Sequence, residues 1–218
     1  MEPSVLEAQR KYWNGHFVEE RPLPPPSAPW IDELIASTSH QLNGHVLEIG
    51  CGRGHDTHYL IHRGCTVTSF DLSWYALQNL QRTLPPVHLV NGALPDPLPF
   101  RDTTFAYVIA GLSLHYFQWH DTLAIIGEIA RVLQPGGVLL FRVNSTEDVA
   151  HGAGRGEDIE PNLYLQAGRY KRFFTEEMCR ELFDSTWKLE RLLPRTEHEG
   201  RFADPKPTWM GISSINRG

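Results

Sequence analysis

Val46-Leu47-Glu48-Ile49-Gly50-Cys51-Gly52-Arg53-Gly54 decides the reading of this 218-residue chain. A largely apolar run, Val46 to Ile49, enters a turn with glycine at every second position. A helix-compatible segment, Thr57 to Arg63, follows and stops at Gly64. A second apolar run, Cys65 to Phe70, then delivers Asp71, 21 residues after Gly50. This is a strand–turn–helix–strand unit with a ligand-binding turn at the end of its first strand. Glycines suit that turn because a backbone without Cβ bends tightly and lets a ligand approach its amides. An acid at the end of the second strand suits the two hydroxyls of a ribose, since a carboxylate accepts both hydrogens. A dinucleotide fingerprint needs its third glycine at position 55, where His55 stands, so the pyrophosphate pattern fails by one residue.

Outward from this unit the chain alternates. Val87–Val90 and Ala106–Ala110 read as strands three and four, and the second of these is apolar enough to be buried on both faces. Ser73 caps a helix containing Leu77 and Leu80. Thr122–Leu133 places Leu123, Ile126, Ile129, Ala130 and Leu133 on one helix side, and Pro135-Gly136-Gly137 breaks it. Val138–Val143 is strand five. Trp187–Leu193 and Thr208–Ile215 read as two final strands, after a short helix from Thr175 to about Asp184. Strands alternating with helices predict an α/β, doubly wound, mostly parallel sheet in a single domain.

At the N-terminus, Tyr12, Trp13 and Phe17 fall on a short helix. Pro22, Pro24, Pro25, Pro26 and Pro29 form a stiff connector. A second helix is expected from Pro29-Trp30 to about Leu42. The chain thus divides into a helical, lid-like segment with connector, 1–43, and a main domain, 44–218. Asn144 to Arg169 is polar, glycine-punctuated and long for a connection, hence either functional or mobile.

Together these motifs resemble the class I S-adenosylmethionine-dependent methyltransferases. The resemblance rests on Glu48-Ile49-Gly50-Cys51-Gly52-Arg53-Gly54, Leu98-Pro99-Phe100, Phe105-Ala106-Tyr107-Val108, Leu114-His115 and Glu128-Ile129-Ala130-Arg131-Val132-Leu133-Gln134-Pro135-Gly136-Gly137. It implies a Rossmann-like seven-stranded sheet with an antiparallel last strand, and S-adenosyl-L-methionine as cofactor. It implies a cofactor site at Glu48, Gly50, Cys51, Gly52, Gly54, Asp56, Asp71, Leu72, Gly92, Ala93, Leu94 and Ala110. Where relatives often carry an acid that reads adenine, this chain has Asn91-Gly92-Ala93, so backbone groups or the Asn91 amide take that role. The methyl acceptor is expected to be a small molecule, met by Trp13, His115, Tyr116, Arg169 and Tyr170. His115 is the one candidate for a catalytic base or orienting group, against its alternative as a packed histidine. Tyr12, Trp13 and Phe17 either close over the site or cover the sheet's edge. Two other readings stand beside methyl transfer: a catalytically silent cofactor-binding module, and a nicotinamide-dependent oxidoreductase, against which His55 counts.

Composition sets outer bounds. Apolar residues make up 41% and charged residues 21%, as in ordinary globular domains. A net charge of −6 disfavours nucleic acid or an anionic membrane as bulk partner. The three cysteines, Cys51, Cys65 and Cys179, are widely spaced and propose neither zinc nor a disulfide framework. His55, His58 and His62 share helical spacing without accompanying acids, so no metal is expected. No secretory core or long apolar span is present, and a reducing cytoplasm is the expected compartment.

Overall fold

The computed structural model describes residues 1–197 and 204–216. Two helices come first, α1 (Pro3–Phe17) and α2 (Pro29–Ala36). The alternating core follows: β1 (His45–Ile49), α3 (His55–His62), β2 (Thr66–Asp71), α4 (Trp74–Thr83), β3 (His88–Asn91), β4 (Phe105–Gly111), α5 (Trp119–Val132) and β5 (Leu133–Asn144). Three short strands, β6 (Glu157–Glu160), β7 (Leu163–Gln166) and β8 (Arg169–Arg172), precede α6 (Glu176–Glu181), β9 (Trp187–Glu197) and β10 (Lys206–Ile215).

The main sheet has seven strands in the order β3-β2-β1-β4-β5-β10-β9. All neighbours from β3 to β5 are parallel, while β10 runs antiparallel to both β5 and β9. The expected Rossmann-like sheet with an antiparallel last strand is therefore present. Its strand order reverses between β1 and β4, the place where open α/β sheets form ligand crevices.

Side-chain alternation explains why the central strands are apolar throughout. Val108 and Ala110 of β4 join Ile125, Ile126 and Ile129 of α5 on one face. Tyr107 and Ile109 join Trp30, Ile31 and Leu34 of α2 and Leu60 of α3 on the other. Each fully buried aliphatic side chain of this kind contributes roughly 1.5–3 kcal/mol. Two of the sequence motifs turn out to be scaffold: Arg131 donates to the carbonyls of Leu98 (3.0 Å) and Phe100 (2.8 Å), and Glu128 accepts from the Leu98 amide (2.9 Å).

The structure departs from the sequence expectations in three places. α2 ends at Ala36, six residues before Leu42, because Ser37 and Thr38 turn their hydroxyls back to the carbonyls of Leu34 and Ile35. β5 begins at Leu133 and not Val138. Pro135-Gly136-Gly137 ends α5 but lies inside the strand, where the pairing with β4 slips between Phe105 and Tyr107. Residues 144–169, read as one irregular connection, contain β6 and β7 and lead into β8, a three-stranded antiparallel sheet. Its turns use Asn162 (φ 60°) and Ala167-Gly168 (φ 50° and 76°).

Candidate functional site

A crevice enclosing about 620 Å3, its open mouth included, lies over the carboxyl ends of β1, β2 and β4. Its floor is the glycine turn. Gly50 adopts φ +73°, and a Cβ there would stand 2.6 Å from the Ser113 Cβ, so only glycine lets the β1 and β4 ends close up. Gly52 (φ +51°) faces the Phe17 ring in the same way.

Asp71 closes one side. Its Oδ2 accepts from the Gly52 amide (2.8 Å) and its Oδ1 from the Ser73 amide (2.7 Å). Burial raises its pKa, and those two amide bonds oppose the rise. A carboxylate has about four lone-pair sites, so each oxygen keeps capacity for one hydroxyl of a ligand. Leu72 and Leu94 flank it, and Phe70 supports Gly92. Asn91 spends its amide hydrogens locally, on the carbonyls of Asp71 (2.9 Å) and Leu72 (3.1 Å). Gly92 and Leu94 line the crevice at this point, while Asn91 stands outside its wall.

The cover comes from the N-terminal helix. Gln9, Trp13 and Phe17 of α1 line the crevice opposite Tyr116. Gln9 donates to the Tyr116 carbonyl (3.0 Å), and Trp13 meets Tyr116 edge-on at 5.5 Å. Arg53, from the glycine turn, donates to the carbonyls of His16 (2.9 Å) and Glu19 (3.1 Å), and Asn79 donates to Phe17 (2.8 Å). α1 thus sits over the crevice, with Arg53 and Asn79 fastening its end.

Of the residues singled out in the sequence, Gly50, Gly52, Asp71, Leu72, Gly92, Leu94, Trp13 and Tyr116 meet in this wall. The others stand behind or beside it. Glu48 is buried and accepts a hydrogen bond from the Thr57 hydroxyl. Asp56 accepts from the Trp30 indole (3.4 Å). Cys51 is buried, and that burial pushes its thiol pKa well up, which disfavours a nucleophilic thiolate. Gly54 (φ +78°) opens α3 against Leu80, and Ala93 and Ala110 are buried. Tyr170 packs with Val5 and Leu163, outside the crevice. Arg169 lies over the Tyr12 ring at 3.4 Å. His115 is fully buried one residue from the wall. Burial lowers its pKa well below the usual imidazole value, and Lys206, Lys171 and Arg142 lower it further, so it stands neutral.

Sequence reasoning missed Gln9, Phe70 and Phe117 as lining residues. Gln9 had only its helical spacing with Trp13, and the two phenylalanines read as core. Among the described residues, no cluster of three metal-ligating side chains occurs, and no helix is long and apolar enough to cross a membrane.

Comparison with known proteins adds to this geometry. A methyltransferase-domain family profile matches residues 46–137. A malonyl-[acyl-carrier protein] O-methyltransferase of Enterobacter lignolyticus is 33% identical over 150 residues, which is 67% of this chain and 57% of that protein. The chain spans about half the length of the curated relatives it matches. Among solved structures, a Methanosarcina mazei protein described as an S-adenosylmethionine-dependent methyltransferase superposes with a TM-score of 0.72 at 19% identity, covering 88% of this chain and 99% of its own. A Burkholderia thailandensis 1,6-didemethyltoxoflavin-N1-methyltransferase, solved with its substrate and S-adenosylhomocysteine, superposes at 0.62 with 18% identity, covering 98% and 84%.

Proposed function

This chain belongs to the class I S-adenosylmethionine-dependent methyltransferase superfamily, and on that premise we propose that it binds S-adenosylmethionine in the β1–β2–β4 crevice and methylates a small-molecule acceptor. The observation that carries the reading is the pairing of Asp71, with one spare lone pair on each oxygen, and the glycine turn that it holds by the Gly52 amide. The crevice chemistry fits the cofactor: apolar walls at Phe70, Leu72 and Leu94 suit a purine, and a single carboxylate suits the ribose. The Ser113 hydroxyl, buried without a partner among the described residues, stands on the β4 side of Gly50.

Bound cofactor supplies a methyl group on a sulfonium, so transfer to an acceptor's lone pair breaks the carbon–sulfur bond with its electron pair left on sulfur. The protein's part is orientation and exclusion of water. Trp13, Phe17 and Tyr116 roof the crevice with rings, and α1 is fastened down by Arg53 and Asn79. Apart from Asp71, the described residues of the wall include no carboxylate, histidine or lysine. An acceptor that arrives with its lone pair already free needs no base there. We assign the protein to the cytoplasm on the same reading, with no nucleic acid as partner.

Titration calorimetry tests the assignment. S-adenosylmethionine and S-adenosylhomocysteine are expected to bind one to one, and nicotinamide dinucleotides are not. Tighter binding of a dinucleotide overturns it. Methyl transfer from labelled cofactor across a panel of small acids, amines, phenols and thiols then separates an enzyme from a silent binding module.

A further inference from the structure

Behind Ser113 and Tyr116 the fold gathers charge that the crevice itself lacks. The β4–α5 loop contributes His115, the end of β5 contributes Arg142 and Asn144, β8 contributes Arg169 and Lys171, and the start of β10 contributes Lys206. They come from four separate parts of the chain. Register fixes part of the set, since Asn144 stands opposite Thr208, two residues from Lys206, and Arg142 stands opposite Met210 and Gly111. The electrostatic influence of Lys206, Lys171 and Arg142 on His115 places all four groups in one neighbourhood. A cationic cluster is notable in a chain of net charge −6.

Two of the four cations are already matched. Arg142 bonds Glu197, and Lys206 donates to Asp148 (2.6 Å). The other Asp148 oxygen meets His151 Nδ1 (2.5 Å), so that carboxylate is shared. Lys171, more than half buried, donates to the His151 carbonyl (2.5 Å), and no carboxylate pairs with it among the described residues. Lys171, like Arg169 over the Tyr12 ring, is therefore left without a carboxylate partner among the described residues.

Unused hydrogen-bonding groups accompany it. Asn144 is fully buried, and neither its amide nitrogen nor its oxygen has a partner among the described residues. His115 Nδ1 and Ser113 Oγ are buried and unpartnered in the same sense. A buried orphan of this sort costs about 1–3 kcal/mol, and folded proteins keep few of them. Four such atoms, on three residues, next to an unneutralised ammonium and adjoining the crevice at Ser113 and Tyr116, describe a site that awaits a small polar ligand.

We propose that the methyl acceptor carries a carboxylate, held by Lys171, Asn144 and His115 at the inner end of the crevice. This rests on the methyl-transfer reading, and it agrees with a crevice wall that offers no general base to an acceptor, because a carboxylate is deprotonated at neutral pH.

The test uses the whole chain saturated with S-adenosylhomocysteine and titrated with malonate, succinate and hexanoate, against malonamide, succinamide and hexanamide as uncharged controls. At least one carboxylate is expected to bind where its amide does not. Lys171→Met and Asn144→Leu are each expected to weaken that binding about tenfold or more, as loss of a charge-assisted hydrogen bond does. Both variants are expected to keep the affinity for S-adenosylhomocysteine and the melting temperature, since Asn144→Leu removes an orphaned amide. Equal binding of acids and amides, or unchanged carboxylate affinity in both variants, overturns the proposal. Competition between the carboxylates and S-adenosylhomocysteine also overturns it, because the cluster then serves the cofactor's own carboxylate. If S-adenosylhomocysteine does not bind at all, the methyl-transfer reading fails, and the acid-against-amide titration of the cofactor-free chain still decides whether the anion site exists.

Discussion

The two walls of the crevice are made in different ways. The wall at the ends of β1 and β2 is local: Gly50 donates to the Phe70 carbonyl (2.8 Å), Gly52 donates to Asp71, and its residues lie between Ile49 and Leu94. The far wall is assembled from distant pieces. Gln9 reaches the Tyr116 carbonyl across 107 residues, and Arg172 ties β8 to the loop before α5 through the Phe117 carbonyl (3.2 Å) and to the end of β6 through the Pro161 carbonyl (3.1 Å) and Glu160. A local wall tolerates loss of its neighbours. An assembled wall depends on a few buried polar anchors.

The sharpest way to break this contrast is Arg172→Met. Arg172 is buried and Glu160 keeps some solvent contact, so removing the guanidinium should lower unfolding free energy by about 3 kcal/mol, the low end for a severed buried pair. Urea denaturation measures it, and calorimetry on the folded variant should find cofactor affinity little changed. A loss below about 1 kcal/mol would mean that the far wall does not hang on this anchor. Next in size is Asp71→Ala, expected to weaken cofactor binding by about 1.5–3 kcal/mol, roughly 10- to 150-fold. Unchanged affinity in a folded variant would remove Asp71 as the ribose acceptor.

A smaller effect is expected at the junction of the two walls. Phe17 packs on Gly52 and stacks with Trp13 at 5.7 Å, so Phe17→Ala should reduce cofactor affinity by about 0.5–1.5 kcal/mol. Limited proteolysis sharpens the point: cofactor should protect residues 1–26 if α1 acts as a lid, and unchanged cleavage leaves α1 a fixed cover. The smallest effect concerns pH. Burial, then Lys206 and, more weakly, Arg169, lower the Lys171 pKa to about 8, while Asp148 pulls the other way, with His151 and His115 also nearby. Between that value and the unfolded lysine value near 10.4, the unfolded chain holds the extra proton, so this group makes stability rise with pH across that window. Carboxylate affinity should move oppositely, falling as pH passes about 8, by less than tenfold per unit. Lys171→Met should flatten that dependence, and a persistent fall in the variant would point to another group.

Legibility followed the same division. Strand-and-helix alternation from Val46 to Val143 and the final hairpin could be read because long apolar periods survive any context. Gly50 and Gly52 could be read because the tight turn demands residues without Cβ, and Asp71 because it stands where the second strand ends. The β6–β8 sheet could not. Its strands, Glu-Asp-Ile-Glu, Leu-Tyr-Leu-Gln and Arg-Tyr-Lys-Arg, have four residues each and too little apolar alternation to stand above a loop, though Pro161-Asn162 and Ala167-Gly168 marked the turns. The pleat of β8 separates its three cations: Arg172 turns inward to Glu160, Arg169 lies on Tyr12, and Lys171 faces His151.

By itself the sequence determined the doubly wound sheet and the glycine turn facing Asp71, because these depend on backbone conformation and contacts within a few tens of residues. Only the tertiary structure decided that α1 roofs the crevice, that His115 is buried and neutral, and that Asn144, Lys171 and Lys206 converge beside it. Those facts depend on strand order, which sets β10 next to β5, and on burial, which changes what a charge or an amide does without changing its residue type.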